Sequence, residues 1–99
     1  MPYVIFDVKK DDRLKIDEIL KDDLISRQSI LVREAKVLDL KDHDILVLIE
    51  GNSRALERAE ELFSGIGKKL EGKARDEAHK KFKDEEDEVL GGIGLIFEG

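Results

Sequence analysis

The sequence predicts a small α+β domain built around an antiparallel sheet. Two runs, Tyr3–Val8 and Ile45–Ile49, are almost uniformly apolar and rich in β-branched residues. A strand that buries one face alternates apolar and polar residues, so an unbroken run indicates a strand covered on both faces. A third extended segment, Ile25–Leu40, has the mixed polarity that is typical of an edge strand. We therefore expect one domain, 1–99, with the two apolar runs side by side in the middle of its sheet.

A helix and a hairpin are expected between the two central strands. Asp11-Asp12 supplies an N-cap, and apolar residues at helical spacing predict a helix from Arg13 to about Asp22. The apolar residues of the edge strand change face near Arg33-Glu34, which predicts a bulge or a bend there. Lys41–Asp44 is a polar turn that joins the edge strand to the second central strand.

A second helix is expected after the second central strand. Ser53 is a good N-cap for a helix that runs to about Ser64, where Gly65 or Gly67 stops it. The next residues, Lys68–Gly72, are predicted to form a connector or a short strand.

The end of the chain is expected to hold a charged helix and the fourth strand. Lys73–Leu90 carries a thin apolar stripe among many charges, and Gly92–Phe97 is an apolar run that begins with glycines. The complete order, βαββααβ, predicts the ferredoxin-like split βαβ sandwich, with an extra charged helix before the last strand. In that topology the first and third strands are central, which is where the two apolar runs fall.

Composition limits the classes of function. Charged residues make up 42% of the chain, against about 25% in an average globular protein, and Asn, Gln and Met occur once each. This usage is typical of thermophilic, archaeal-like proteins and favours a cytoplasmic location. The absence of Cys excludes disulfides and thiolate chemistry. The net charge of −6 argues against nucleic-acid binding, and no apolar stretch has the length of a membrane span.

One anion-binding site is predicted where the second helix begins, at Gly51, Asn52, Ser53 and Arg54. Free backbone N–H groups and the positive end of the helix dipole hold anions at such positions, and Arg54 is placed to assist. The simpler and favoured interpretation is an ordinary capped helix that needs no ligand.

Asp7 is an unusual residue, because it interrupts an apolar run on a predicted central strand. An unpaired carboxylate is costly there, so one hypothesis makes it a metal ligand or a base at the end of the strand. The favoured interpretation is that the strand ends at Asp7, which then meets solvent, Lys9 or Lys10.

Three further features have plainer interpretations. Asp42-His43-Asp44 is interpreted as a turn rather than as metal ligands or an acid–base pair. His79 lies among basic residues and is predicted to be a solvated helix position. Gly91–Gly94 precedes a strand instead of following one, so we expect it to end the third helix and not to bind phosphate. The sequence thus predicts no catalytic residue and no metal site, and it names no cofactor.

Part of the chain resembles ferredoxin-like regulatory families. The segment Ala35–Leu40, the strand Ile45–Ile49 and the Ser53 helix are similar to the middle of PII-type nitrogen-signalling proteins and of amino-acid-binding ACT domains. Gly92–Phe97 also resembles the Gly-x-Gly-x-Ile-Phe start of the last PII strand. The resemblance implies a small-molecule or nucleotide sensor with a site between subunits. The chain lacks the long PII insertion between the second and third strands, which argues against a nucleotide.

The favoured prediction is therefore a non-enzymatic, structural or regulatory domain that forms a homodimer or a higher homo-oligomer. The alternatives are a sensor of the ACT or PII type, and a small enzyme that uses Asp7 or Asp42 with a metal. Self-association is expected because a split βαβ sheet leaves one face without helices. Each large side chain left exposed there forfeits about 1.5–3 kcal/mol. The stripe of the third helix is predicted to be too narrow to cover that face; it consists of Ala74, Ala78, Phe82 and Val89.

Overall fold

The protein has an α+β fold with a four-stranded antiparallel sheet and three helices. The structure is a computed structural model that describes residues 2–98, with side chains described for residues 2–86. The strands are β1 (Tyr3–Val8), β2 (Ser29–Glu34), β3 (Ile45–Glu50) and β4 (Gly67–Lys69). The helices are α1 (Arg13–Ile19), α2 (Ser53–Phe63) and α3 (Gly72–Glu98). Short 3₁₀ turns occupy Lys10–Asp12, Ile25–Arg27 and Ala35–Leu38.

The strand order β2-β3-β1-β4 confirms that the two apolar runs are adjacent and central. β1 and β3 pair antiparallel, with Val4 opposite Ile49 and Val8 opposite Ile45. β2 pairs antiparallel with β3, so the predicted hairpin is confirmed. The short strand β4 pairs antiparallel with the end of β1.

The side chains of β1 and β3 alternate between two apolar clusters, one on each face of the sheet, which explains why both runs are uninterrupted. The first face is covered by α1, α2 and the turn Ile25–Arg27. Its buried strand residues are Val4, Phe6, Val8, Ile45, Val47 and Ile49. On this face Phe6 stacks on Phe63 of α2, with ring centroids 4.5 Å apart.

The second face is covered by the same chain, so the expectation of a face without a helix is wrong. Its buried strand residues, Ile5, Leu46 and Leu48, are at most 1% exposed. The residues that cover them are Ala35, Leu38, Leu40, Leu70, Ala78 and Phe82. Of the predicted α3 stripe, Ala78 and Phe82 contribute here and Val89 lies outside the residues with described side chains; the 3₁₀ turn after β2 brings further apolar side chains to this face.

Two predicted elements are wrong. β2 ends at Glu34, where a bend was expected, but the chain then enters a 3₁₀ turn and does not stay extended to Leu40. α3 includes Gly92–Phe97, which the pattern assigns to the last strand, and Gly67–Lys69 is the fourth strand instead. Pairing of β4 with β1 fills the edge position that a later strand needs. The charged helix thus follows the last strand; the Gly91–Gly94 run lies beyond the residues with described side chains.

Within the described residues, no helix is both long enough and apolar enough to cross a membrane.

Candidate functional site

The candidate site lies at the end of β1, where Asp7 meets the turn that precedes β3. His43 Nδ1 is 2.8 Å from Asp7 Oδ2, and the backbone N–H of Asp44 donates to Asp7 Oδ1 at 3.1 Å. Both side chains are largely buried, with 21% of Asp7 and 19% of His43 exposed. The carboxylate has a hydrogen-bond donor on each oxygen, which offsets the cost of placing it on a central strand.

The pairing of β1 with β3 brings these residues together. Val8 lies opposite Ile45, so the residues just before β3 come alongside the last residues of β1. The turn is fixed from the other side as well, because the backbone N–H of Lys10 donates to Asp44 Oδ2 at 2.8 Å. Asp44 therefore links the end of β1 to the start of β3 through both its backbone and its side chain.

Asp7 determines which nitrogen of His43 is free. A carboxylate can only accept hydrogen bonds, so in the neutral ring the proton lies on Nδ1. Among the described residues, none donates to or accepts from His43 Nε2. Nε2 is thus available to an outside hydrogen-bond donor, or to an acceptor when the ring is protonated. Imidazoles held by a carboxylate in this way serve as oriented bases and ligands in many proteins.

Three surface cavities meet at Asp7, with volumes of about 460, 440 and 480 Å³. Small-molecule sites generally have about 300–1,000 Å³, so each cavity has a suitable size. His43 lines the second and third cavities. The third is also lined by Lys68 of β4 and by Glu71 and Ala74, so the first turn of α3 forms part of its wall.

The hydroxyl that lines these cavities is engaged in a hydrogen bond within the chain. Ser64 lines the first cavity, but its hydroxyl donates to the Glu61 carbonyl at 2.8 Å and His43 does not line that cavity. An activated nucleophile needs a base within hydrogen-bond reach. In the described part of the chain, no group of three His, Asp or Glu side chains is placed to hold a metal ion.

The predicted anion site, Gly51–Arg54, has the geometry of a capped helix start. Asn52 is the N-cap in place of the predicted Ser53, and its Oδ1 accepts from the Ala55 N–H at 2.9 Å. The N–H of the buried Gly51 already donates to a backbone carbonyl. Two donors near this end are thus satisfied within the chain, and anion binding at these residues stays a prediction.

Two sequence interpretations are corrected by the structure. β1 continues to Val8, and Asp7 contacts the His43-Asp44 turn, whereas solvent or neighbouring lysines were the favoured partners. His79 is not a solvated position, since its ring stacks on Tyr3 at 3.8 Å between centroids and 9° between planes. The cause is the packing of α3 across the second face, which encloses His79 Nε2 with no hydrogen-bond partner.

The Asp7–His43 pair escaped sequence analysis because its members are 36 residues apart. Antiparallel alignment of the two apolar runs provides the missing signal, since it places the residues before Ile45 beside the end of β1.

Comparisons with protein families, with characterised proteins and with solved structures gave no significant match. The site is therefore interpreted from its own geometry.

Proposed function

We propose that the protein is a small, non-catalytic regulatory domain that binds a small polar molecule beside Asp7 and His43. The observation that carries this proposal is the His43 ring, which is oriented by Asp7, has no partner at Nε2 among the described residues, and belongs to a residue that lines two of the cavities. A site with an oriented polar group but without a nucleophile suits recognition.

A zwitterion such as a free amino acid fits the charges of the third cavity. Lys68, which lies opposite Asp7 in the sheet, supplies a positive group, and Asp42 and Glu71 supply negative ones. The other lysine of this wall, Lys69, pairs with Glu60 of α2. Lining side chains of both positive and negative charge favour a molecule that carries both an ammonium and a carboxylate group.

The strand arrangement supports the ferredoxin-like assignment as part of this proposal, because β1 and β3 are the two central strands. The assignment adds to the sequence resemblance to regulators of the ACT and PII types, which implies a site between subunits. Cytoplasmic location and thermophilic origin rest on composition and stay predictions.

Self-association is the other part of the proposal, and it stays a prediction, since the covered second face removes the reason for expecting it. The second face is covered, and both sheet edges carry features that hinder edge-to-edge pairing. On β2, Arg33 Nη1 donates to the Val32 carbonyl at 2.8 Å. On β4, Lys68 and Lys69 leave a short and charged edge. Two copies therefore have to meet through another surface.

A thermal-shift screen tests the binding proposal. The complete chain is heated with each free amino acid, with nucleotides and with divalent metal salts. A ligand at 100 times its Kd adds about 2.7 kcal/mol to the free energy of unfolding. We expect a shift for an amino acid, its loss in Asp7→Asn and His43→Gln, and its retention in Asp17→Asn, which alters an exposed acid of α1.

The two histidines provide a second measurement, made on the natural chain. His43 and His79 give two sets of ring signals in proton NMR, which the variants His43→Gln and His79→Gln assign. The ligand should move the His43 signals more than those of His79. A nucleotide-only shift would favour the PII alternative, and a metal-only shift would favour the enzyme. If no compound shifts the melting temperature, the binding proposal is wrong.

A further inference from the structure

Between residues 72 and 86, where its side chains are described, α3 meets the second face through two buried apolar residues and the stacking of His79 on Tyr3. Its buried side chains among residues 72–86 are Ala78 and Phe82. The interface also encloses two polar atoms without hydrogen-bond partners, His79 Nε2 and Glu85 Oε2. Unpaired buried polar atoms weaken an interface, because they lose their water without a replacement. In its described part, residues 72–86, α3 is thus attached by few buried apolar side chains.

Charged contacts set the position of α3 along the sheet. Glu85 pairs with Arg33 of β2, and Lys83 Nζ lies 3.0 Å from Glu50 Oε1 of β3. These pairs join α3 to two different strands, so they fix both the direction and the register of the helix. A surface with this pattern recognises α3 specifically, whichever copy of the chain supplies it.

The connection between the sheet and α3 is a very short hinge. Leu70, which follows β4, is still hydrogen-bonded to β1, since its N–H donates to the Ile5 carbonyl at 2.9 Å. Glu71 is the single residue between Leu70 and Gly72, where α3 begins with a φ of +60°. Residues with a side chain adopt positive φ only at a cost, so the folded-back position of α3 depends on this glycine.

We infer that the second face also accepts α3 from a second copy of this chain, so that two copies exchange the helix and form a homodimer. This inference rests on the self-association proposed above. Every contact that holds α3 within one chain is equally available between two chains, whereas both sheet edges are obstructed. Exchange of an identical element through a short hinge is a low-cost route to a closed dimer.

The balance between the two forms depends on concentration and on the hinge. Within one chain a short connection gives α3 an effective concentration of about millimolar, so dilute protein keeps its own helix. A hinge that resists folding back removes this advantage. Gly72→Val is expected to disfavour the folded-back form roughly 5- to 30-fold per copy. Because each dimer contains two hinges, its association constant should rise by the square of that factor.

A mixing experiment with charge-reversed variants tests the exchange directly. Arg33→Glu and Glu85→Arg each place like charges where α3 meets β2, both within one chain and in a dimer of one variant. In a mixed dimer, the reversed helix of one variant meets the reversed strand of the other, and opposite charges face each other at both contacts. Joint unfolding and refolding, followed by sedimentation equilibrium, should show at least roughly 10-fold more dimer of twice 11.3 kDa than either variant alone.

The matched control uses Lys69→Glu and Glu60→Lys, which reverse a pair between β4 and α2. Neither residue belongs to the exchanged helix, so mixing these two variants should restore nothing. If the charge variants fail to fold, the Gly72→Val chain still tests the inference by its association constant.

Three outcomes are distinguishable. Rescue on mixing, together with tighter association of Gly72→Val, supports exchange of α3. Dimers without rescue and without an effect of the hinge overturn the exchange but keep the self-association. Monomers under all conditions up to millimolar concentration overturn both. The binding of a small molecule at Asp7 and His43 is measured separately and is decided by neither result.

Discussion

The two faces of the sheet are equally buried, but they are covered by different chemistry. The first face is covered by the apolar sides of two helices from the middle of the chain, with Phe6 stacked on Phe63. The second is covered in part by a charged helix that follows the last strand and is placed by ion pairs to β2 and β3. Equal burial therefore does not mean equal stability against local unfolding, because a single helix can open as a unit while the rest stays folded.

Truncation of one phenylalanine on each face is the strongest test of this comparison. Phe63 is fully buried on the first face, and Phe63→Ala should lower the free energy of unfolding of the whole domain by about 3–5 kcal/mol. Phe82 is 2% exposed on the second face, but the loss in Phe82→Ala should be smaller. Once the cost exceeds the free energy that holds α3, the helix leaves and the remaining core stays folded.

Urea unfolding and amide hydrogen exchange measure the two variants. Phe82→Ala should speed exchange of the α3 amides while those of β1 and β3 keep their protection. A loss in Phe82→Ala as large as that in Phe63→Ala, with all amides affected alike, would show that both faces form one cooperative unit.

Removal of the ion pair between Arg33 and Glu85 should lower stability by a smaller amount, and only on the second face. Arg33 is 40% exposed, so its loss in Arg33→Gln should weaken the attachment of α3 by only about 0.5–1 kcal/mol. Exchange of the α3 amides should become faster, and 1 M salt should reduce the difference from the natural chain. Arg27→Gln is the matched control, since the pair Arg27–Asp23 is almost fully solvated and should contribute little. An equal effect of both substitutions would contradict the assignment.

Near the first face, the lowered pKa of Asp22 predicts that the free energy of unfolding depends on pH. Burial raises its pKa, but hydrogen bonds from the Ile25 N–H, the Arg58 guanidinium and the Leu24 N–H outweigh burial, and the net pKa is lowered. A carboxyl group whose pKa is lower in the folded state stabilises the fold above its unfolded pKa of about 3.9. That contribution is lost as the pH falls through the folded pKa.

The difference in stability between the natural chain and Asp22→Asn should therefore be largest at neutral pH and should shrink below about pH 4. Urea midpoints at pH 7, 5 and 3 measure it. A difference that stays constant over this range would show that the charge of Asp22 contributes nothing to the free energy of unfolding.

The first face could be predicted from the sequence because its signals are local. The unbroken run of β1 and the periodic apolar residues of α2 each specify an element without reference to the rest of the chain. The cap of α2 shows the limit of such signals. Asn52 and Ser53 are both good cap residues, and the position of the first helical turn selected Asn52.

The second face could not be predicted because distant segments compete for it. Whether Gly92–Phe97 forms a strand depends on whether an edge of the sheet is free, and β4 already occupies the edge beside β1. The candidate site also depends on segments that are distant in the sequence. Asp7 was recognised as unusual, but its partner His43 follows from the register between β1 and β3, which composition does not reveal.

The central position of β1 also has a consequence for synthesis on the ribosome. β1 precedes every other element, yet both its neighbours in the sheet, β3 and β4, are translated later. Ile5 and its neighbours must wait for pairing until those strands have emerged, and α3 follows both of them. A nascent chain thus exposes an apolar surface until these elements have emerged, which favours association with neighbouring nascent chains. Copies made side by side on one messenger RNA are the ones best placed to exchange α3.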